Sequence, residues 1–503
     1  MNFSPLVNKM LSIFSMYKGM SFGLLGIWAA AFTLSFFGLI TYSPMALVVS
    51  LLVLVVSVYG SSYLCGKLFG VHVHGESSLI TALILTLIIA PTVEVGGLVI
   101  LAFAGLIAGI SKFILVSRGR HIFNPAALAA FVVGVVGFGG ANWWVATPVL
   151  TPVVLAVILI SLYKTRRFAV AGVFLAVAVP ILLVIFTMYG ATPLDSAYLL
   201  LSWPLLFMAG VMLTEPLTLP PRKWQMYIEA AIVGILFAIP IDLIFVSMTP
   251  ALALLIGNVI GAVFASRESI GLVFKKRRQL TPTTEEYIFT PNKPIRFTAG
   301  QFVEVQLPHK KIDFRGYRRS FSLTSVPGAN EVSLGIKFYE PSSSFKSALR
   351  AMPVGTTIPA TGYWGDFVLP KDPTTPIAYI AGGIGITPFI SHLKTSQNYK
   401  DVRNVTLLYA VTNPEEIAYK DVLIKAGIKV VIVTKEKVKD LPVNWKQIKT
   451  SGHLDQEIIA KAIPDVANRT AYISGPTPFV QTSKRALRAL SVKRIKTDYF
   501  VGY

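Results

Sequence analysis

Near residue 265 the spacing of apolar residues changes abruptly, and this change constrains the chain more than any other feature. Before it, apolar runs follow one another with little between them, many of about 17–25 residues, the length that crosses a bilayer as a helix. After it, the runs shorten to strands of alternating polarity mixed with helix-length segments. The full length of 503 residues asks for several domains, because single cores stop growing at about 250–300 residues. A hydrophobic fraction of 53% with mean hydropathy +0.63 also exceeds what soluble domains carry. The expectation is a polytopic α-helical membrane domain over residues 1–270, with soluble domains after it.

The apolar runs predict ten spans, near 20–41, 44–64, 78–91, 95–116, 124–139, 147–163, 168–188, 195–213, 225–246 and 249–265. The third and fifth are short for full spans, and interrupted helices of that kind line binding sites at membrane depth. Alternate loops are basic: Lys67; Arg118 and Arg120; Lys164, Arg166 and Arg167; Arg222 and Lys223; then Lys275, Lys276, Arg277 and Arg278. The intervening loops hold no Lys or Arg, so the positive-inside rule places both termini in the cytoplasm of a multi-pass protein. No cleavable signal peptide is expected: Lys9 and Lys18 precede the first run, but no small-residue cleavage site follows it.

The net charge of +21 invites a nucleic-acid partner, yet basic cytoplasmic loops explain it, and no nucleic acid is expected. The single cysteine, Cys65, reads as a small apolar residue near a helix end. It excludes an intrinsic iron–sulfur cluster, which needs about four cysteines, or two with two histidines, and it excludes internal disulfides.

In the soluble half, period-two runs such as Gly300–Leu307 and Val332–Tyr339 predict an antiparallel barrel over 271–375. From 376 to 503, strands at "PIAYIAG", "NVTLLYAV", "IKVVIVT" and "RTAYISG" alternate with helices, which predicts a parallel α/β sheet. In "AGGIGITPF", Gly382, Gly383 and Gly385 follow a strand, and Thr387-Pro388 opens a helix. Such a turn lets backbone approach a pyrophosphate at a helix N-terminus. In "RRSFS", Arg319, Ser320, Phe321 and Ser322 lie on a strand where alternate residues share a face, an arginine suited to phosphate and an aromatic suited to a flat ring.

Together and in this order these motifs resemble the ferredoxin–NADP reductase family over roughly 275–503, with "TAGQFVEV", "SSSFKSAL", "GYWGDF", "ISGPTPF" and a terminal "DYFVGY". The resemblance implies FAD and NADH or NADPH as cofactors. By it, Arg319 binds the FAD pyrophosphate, Phe321 packs on the flavin and Ser322 hydrogen-bonds near N5, while Ser343, Ser344 and Phe345 match the pyrophosphate cradle. Gly382, Gly383, Gly385, Thr387 and Pro388 match the nicotinamide-dinucleotide loop, and Gly475, Pro476 and Phe479 its second wall. Phe500, or Tyr503, matches the aromatic that covers the flavin. Ser474 stands where the family has cysteine. No Ser-Arg pair follows "LLYA", where Val411-Thr412-Asn413 stands instead, and this favours NADH.

The membrane half lacks the four spaced histidines that two haems require: only His72, His74 and His121 lie near its spans, so neither haem nor a metal is expected. Its segments "HGESSLITALILTLIIAP", "RHIFNPAALAAFVVG", "YGATPLD" and "LTEPLTLPP" resemble, in that order, the membrane flavoprotein subunit shared by the Rnf complex and the sodium-pumping NADH:quinone reductase. The resemblance implies FMN at Thr192, attached by a phosphoester, and in one branch a second flavin. Two departures bear on attachment: Tyr189 replaces the motif's serine and Phe186 its aspartate. Read from the residues alone, Thr192 before Pro193 is also a helix cap.

Thr192 would lie outside and FAD inside, across a hydrocarbon layer about 30 Å thick. This asks for a second membrane flavin or a quinone nearer the inner face. "HGESSL" stands 115 positions before "YGATPL", five spans earlier, pairing Gly75 with Gly190 and Ser77 with Thr192 in the pattern of an inverted repeat. The expected function is a membrane NAD(P)H dehydrogenase of the prokaryotic cytoplasmic membrane, embedded in lipid, that sends electrons through FAD and membrane flavin to a quinone or extracytosolic acceptor. The alternative is a transporter or ion-translocating protein with a redox-sensing reductase domain. Ionisable residues, the usual mark of ion pathways, are few: Asp242 and Glu229 lie near the ends of span nine, where solvated interface positions explain them equally well.

Overall fold

The computed structural model describes residues 16–70, 73, 75–117, 120–137, 139–220, 222–243, 246–264, 269–310, 312–313, 316–398, 403–450 and 454–500. His72, His74, Arg118 and Tyr503 therefore lie outside the described residues. The chain divides into two compact units, Met1–Ser266 and Arg267–Tyr503.

The first unit is helical: α1 (Met16–Phe36), α2 (Pro44–Phe69), α3 (Gly75–Ile88), α4 (Val95–Ile114), α5 (Pro125–Val135), α6 (Thr151–Thr165), α7 (Phe168–Met188), α8 (Pro193–Ser202), α9 (Leu205–Met212), α10 (Lys223–Ala238) and α11 (Pro250–Phe264). Among the described residues, α1, α2, α4 and α7 are long and apolar enough to cross a membrane, and the bent pair α8–α9 makes a fifth if counted as one span. Helices α3, α5, α6 and α11 are apolar but shorter. The run at 195–213, read as one span, breaks by 47° because Pro204 drives Trp203 to extended backbone (φ −89°, ψ 144°).

Helix starts follow their cap residues. Ser43 Oγ accepts from Ala46 N (3.2 Å) ahead of Pro44, and Asn124 Oδ1 accepts from Ala126 N and Ala127 N ahead of Pro125. Helices α2 and α4 pack closely, for a side chain at Gly105 or Gly109 would collide with Ser57 or Ser61.

The second unit has two lobes. Strands β1 (Ser269–Thr281), β2 (Thr284–Pro291), β3 (Phe302–Gln306), β4 (Arg318–Ser322), β5 (Val332–Lys337) and β6 (Thr357–Trp364) form an antiparallel sheet in the order β4-β3-β6-β1-β2-β5. A bridge from Leu323 to Leu334 joins its two edges and closes a barrel, with helix α12 (Ser344–Arg350) beyond β5.

The other lobe is a parallel sheet of β7 (Ile377–Gly382), β8 (Val405–Ala410), β9 (Lys429–Thr434), β10 (Trp445–Lys449), β11 (Thr470–Pro476) and β12 (Ile495–Phe500), ordered β10-β9-β8-β7-β11-β12. Helices α13 (Thr387–Asn398), α14 (Lys420–Ala426), α15 (Gln456–Ala462) and α16 (Thr477–Ala489) accompany it. Central β7 is buried at every residue, as expected of a parallel strand covered on both faces.

Candidate functional site

In the barrel lobe, Arg319 is buried and its Nη1 donates to the Gly316 and Arg318 carbonyls (3.0 and 2.7 Å). Its guanidinium lies 5.2 Å from the Phe345 ring centre, and the Phe321 ring lies 5.9 Å from the same ring. Phe345, completely buried in the first turn of α12, is thus the meeting point of the arginine and the aromatic. Ser320 is exposed.

Ser343 caps α12, its Oγ accepting from Lys346 N (3.4 Å). The Ser344 N–H donates to Asp313 Oδ2 (2.9 Å), and Asp313 Oδ1 stands 4.0 Å from Arg319 Nη2. A carboxylate already sits between the guanidinium and the start of the helix, so the cradle accommodates an anion. These residues fit a pyrophosphate with a ring beside it.

Ser322 is buried at the end of β4 and interacts with Asp498 on β12. Burial raises the Asp498 carboxyl to about 6, against the lowering effect of Ser322 and the Tyr499 backbone. In register, Asp498 lies beside Ser474, Tyr499 beside Gly475 and Phe500 beside Pro476. Ser474 is completely buried, with no hydrogen-bond partner for its hydroxyl among the described residues. Asp498 therefore stands near both Ser322 and Ser474, which lie far apart in sequence. The signal for it lay inside the quoted "DYFVGY" motif, but its neighbour Ser474 is 24 positions away in sequence. Phe500 is half-buried at the end of β12.

The glycine turn packs backbone on backbone. A Cβ at Gly385 would strike the Ser474 carbonyl, and one at Gly382 would come within 2.8 Å of the Phe479 ring. Gly383 takes φ +53° and Gly475 φ +154°, which side chains disfavour. Thr387 Oγ1 donates to the Ile384 carbonyl (3.0 Å) and closes the turn, with Pro388 next in α13. At the neighbouring strand ends, Thr434 Oγ1 donates to the Thr412 carbonyl (3.2 Å), and exposed Lys435 follows. A cation thus stands beside the strand end at Val411-Thr412-Asn413, where none follows β8 itself.

Residues 379–485 match the family model of the oxidoreductase NAD-binding domain. A flavohemoprotein of Bacillus cereus is 27% identical over 244 residues, 45% of this chain and 59% of that protein. The reductase component of propane 2-monooxygenase from Rhodococcus jostii is 25% identical over 225 residues, 42% of this chain and 58% of that protein. Among solved structures, the FAD/NAD-binding domain of a nitric oxide dioxygenase from Vibrio cholerae is similar at TM-score 0.39 and 19% identity, covering 46% of this chain and 98% of that one. The chain spans less than two thirds of those curated relatives' length. It carries an FAD-dependent NAD(P)H oxidoreductase module. When bound, FAD supplies a ring that accepts a hydride and releases single electrons. No match to the Rnf or sodium-pumping reductase membrane subunits was found.

The first unit holds a second candidate site. A cavity is lined by the polar residues Ser77, Asn124, Thr214 and Glu215, with apolar walls including Ile80 and Pro216. Lys112 Nζ donates to the Ser77 carbonyl (3.0 Å) and lies 3.4 Å from its hydroxyl. Glu215 accepts from Asn124 Nδ2 (2.9 Å) and pairs with His121 Nε2 (3.2 Å). Three of the quoted segments, those holding Ser77, Asn124 and Glu215, thereby converge.

Gly75 opens α3, its carbonyl accepting from Tyr59 (2.6 Å). Thr192 does not line the cavity. Its hydroxyl donates to Asp195 Oδ2 (2.6 Å) and accepts from Asp195 N (3.2 Å), a capping box at α8. Of the two explanations open for Glu229, a solvated interface position is not the one observed: it is completely buried on α10, because Gly257 and Gly261 of α11 leave room for its side chain.

Proposed function

We propose that this protein is a membrane NAD(P)H dehydrogenase. Electrons enter from NAD(P)H at residues 376–503, pass to FAD held by residues 271–375, and continue to a redox ligand among the helices of residues 1–270. Arg319, Ser343, Ser344 and Phe345 hold the FAD pyrophosphate, Phe321 packs on its ring system, and Ser322 and Ser474 face the reacting edge with Phe500 as cover. Gly382, Gly383, Gly385, Thr387, Pro388, Gly475, Pro476 and Phe479 take the nicotinamide dinucleotide. NADH is the preferred donor, and the comparison with NADPH tests whether Lys435 reads a 2′-phosphate.

The observation that carries the membrane half of this reading is the convergence of three separated motif segments on one cavity of mixed polarity. Its apolar walls suit a flat ring, and Ser77, Asn124 and Glu215 suit the ring's polar edge. The ligand is a flavin or a quinone, with FMN on Thr192 as the outward partner. All ten apolar segments cross the prokaryotic cytoplasmic membrane, α8 and α9 as one bent span, with termini and module inside. The terminal acceptor is a quinone or lies outside the cytosol.

Purified protein is denatured, and FAD and FMN are measured in the free and protein-bound fractions, alongside NADH oxidation with a soluble quinone. FAD released, a membrane flavin present and quinone reduced support the relay. FAD alone without quinone reduction would refute it. Buried Glu229 and the break between α8 and α9 favour a second reading, an ion-translocating protein with a redox-sensing module. Cation uptake into vesicles driven by NADH, and lost in Glu229→Gln, would move that reading ahead.

A further inference from the structure

Helix α13 begins at the glycine turn, and within one turn of it three polar side chains end on the barrel lobe. Ser391 Oγ donates to the Ser325 carbonyl (2.8 Å), three residues past β4. His392 Nε2 lies 3.1 Å from the Ala299 carbonyl and 3.0 Å from that of Phe367. Lys394 Nζ stands 3.7 Å from Glu286 Oε1 on β2. Ser391 and His392 are completely buried.

Two carbonyls facing one ring nitrogen fix the tautomer, since a carbonyl only accepts. Nε2 carries the proton, and Nδ1, which has no partner among the described residues, does not. Burial lowers the imidazole to about 4, against the raising effect of its carbonyl partners, so the ring is neutral. The fit is close: Gly300 takes φ +89°, and a Cβ there would run into the Phe367 carbonyl and the imidazole. The ring also stacks on Phe367, with centres 6.1 Å apart at 15°.

These bonds join the two halves of the reaction site by short paths. Ala299–Gly300 leads into β3, where Phe302 pairs in register with Ser322. His392 stands five residues after Thr387, where the glycine turn ends. We propose that Ser391 and His392 are positioning residues, whose bonds to barrel carbonyls set the glycine turn against the flavin strand and so fix how the nicotinamide approaches the flavin. A hydride transfer depends on such placement, where an error of about 1 Å costs on the order of a hundredfold in rate.

The proposal rests on the reading that FAD and NAD(P)H meet in this module. Full-length protein loaded with FAD is mixed anaerobically with NADH in a stopped-flow instrument. The limiting rate of flavin reduction, the Kd for NADH and the long-wavelength absorbance of reduced flavin with NAD+ are recorded. His392→Met, which fills the space but cannot donate, is expected to slow the limiting rate on the order of tenfold, leave Kd unchanged and weaken the long-wavelength band. His392→Gln, whose amide N–H replaces Nε2–H, restores the rate to within about threefold.

A wild-type limiting rate in His392→Met overturns the proposal. So does a fall in thermal stability or FAD content, in both variants, with the rate untouched. Where His392→Met does not retain FAD, Ser391→Ala decides: a slower limiting rate at constant Kd supports positioning, and a wild-type rate overturns it. A wild-type protein that holds FAD yet is reduced by neither nucleotide would overturn the underlying reading, and the proposal with it.

Discussion

A carboxyl group near Ser322 and beside Ser474 in register makes Asp498 sensitive to a change in pH. Its pKa of about 6 in the folded protein exceeds the ordinary unfolded value of about 3.9. The native state therefore binds the proton more tightly, and stability falls as pH rises from about 4 through about 6. Asp498→Asn should stabilise the protein by about 1–2 kcal/mol at pH 8 and very little below pH 4, as read by thermal unfolding at the two pH values. Protonation also removes the negative charge that acts on the Ser322 hydroxyl. Flavin reduction is expected to quicken as pH falls through about 6, and to lose that step in Asp498→Asn, as measured by stopped-flow. Thr192 separates two roles in the same way. Thr192→Ala should cost about 1 kcal/mol from the lost cap, read as a lower melting temperature. Loss of flavin fluorescence from the denatured protein band would mark attachment as well.

Elements were legible where one local pattern decided them. The alternation in "GQFVEVQL" and the unbroken run in "PIAYIAG" became β3 and β7, since burial on one face or on two writes itself into the period. The short third and fifth runs became helices of 14 and 11 residues. What stayed hidden depended on partners distant in sequence. Glu229 could not be read as buried without knowing that Gly257 and Gly261 face it. Asp498 could not be placed until the sheet order put β12 beside β11. The glycine turn tests how far backbone contact, as distinct from flexibility, requires glycine. Gly385→Ala, whose Cβ would strike the Ser474 carbonyl, should cost about 2–3 kcal/mol and abolish NADH binding. Gly383→Ala, at φ +53° with open space around it, should cost only about 1 kcal/mol. Thermal unfolding and NADH titration of the two variants check this contrast.

At the scale of the whole molecule, most of the positive charge lies outside the loops between the apolar segments. Residues 267–503 hold 35 of the 46 Lys and Arg and 19 of the 25 Asp and Glu, so they carry +16 of the formal +21. Basic loops between spans explain the smaller share. A module this basic draws anionic nucleotides by its overall field, which salt screens. The KM for NADH should rise severalfold between about 0.02 and 0.3 M salt while kcat holds, and NADPH, with its extra phosphate, should be the more sensitive; steady-state kinetics at several ionic strengths measure both. The attachment of α13 to the barrel has a different consequence, for tolerance to mutation. Its acceptors at Ser325, Ala299 and Phe367 are main-chain carbonyls, which every residue possesses, whereas its donors are side chains. In a saturation mutagenesis screen selected for function, intolerance to hydrogen-bond-deleting changes should fall on Ser391 and His392, while side-chain replacement at Ser325 leaves its acceptor in place. Related sequences could then drift on the barrel side of this contact and stay constrained on the helix side.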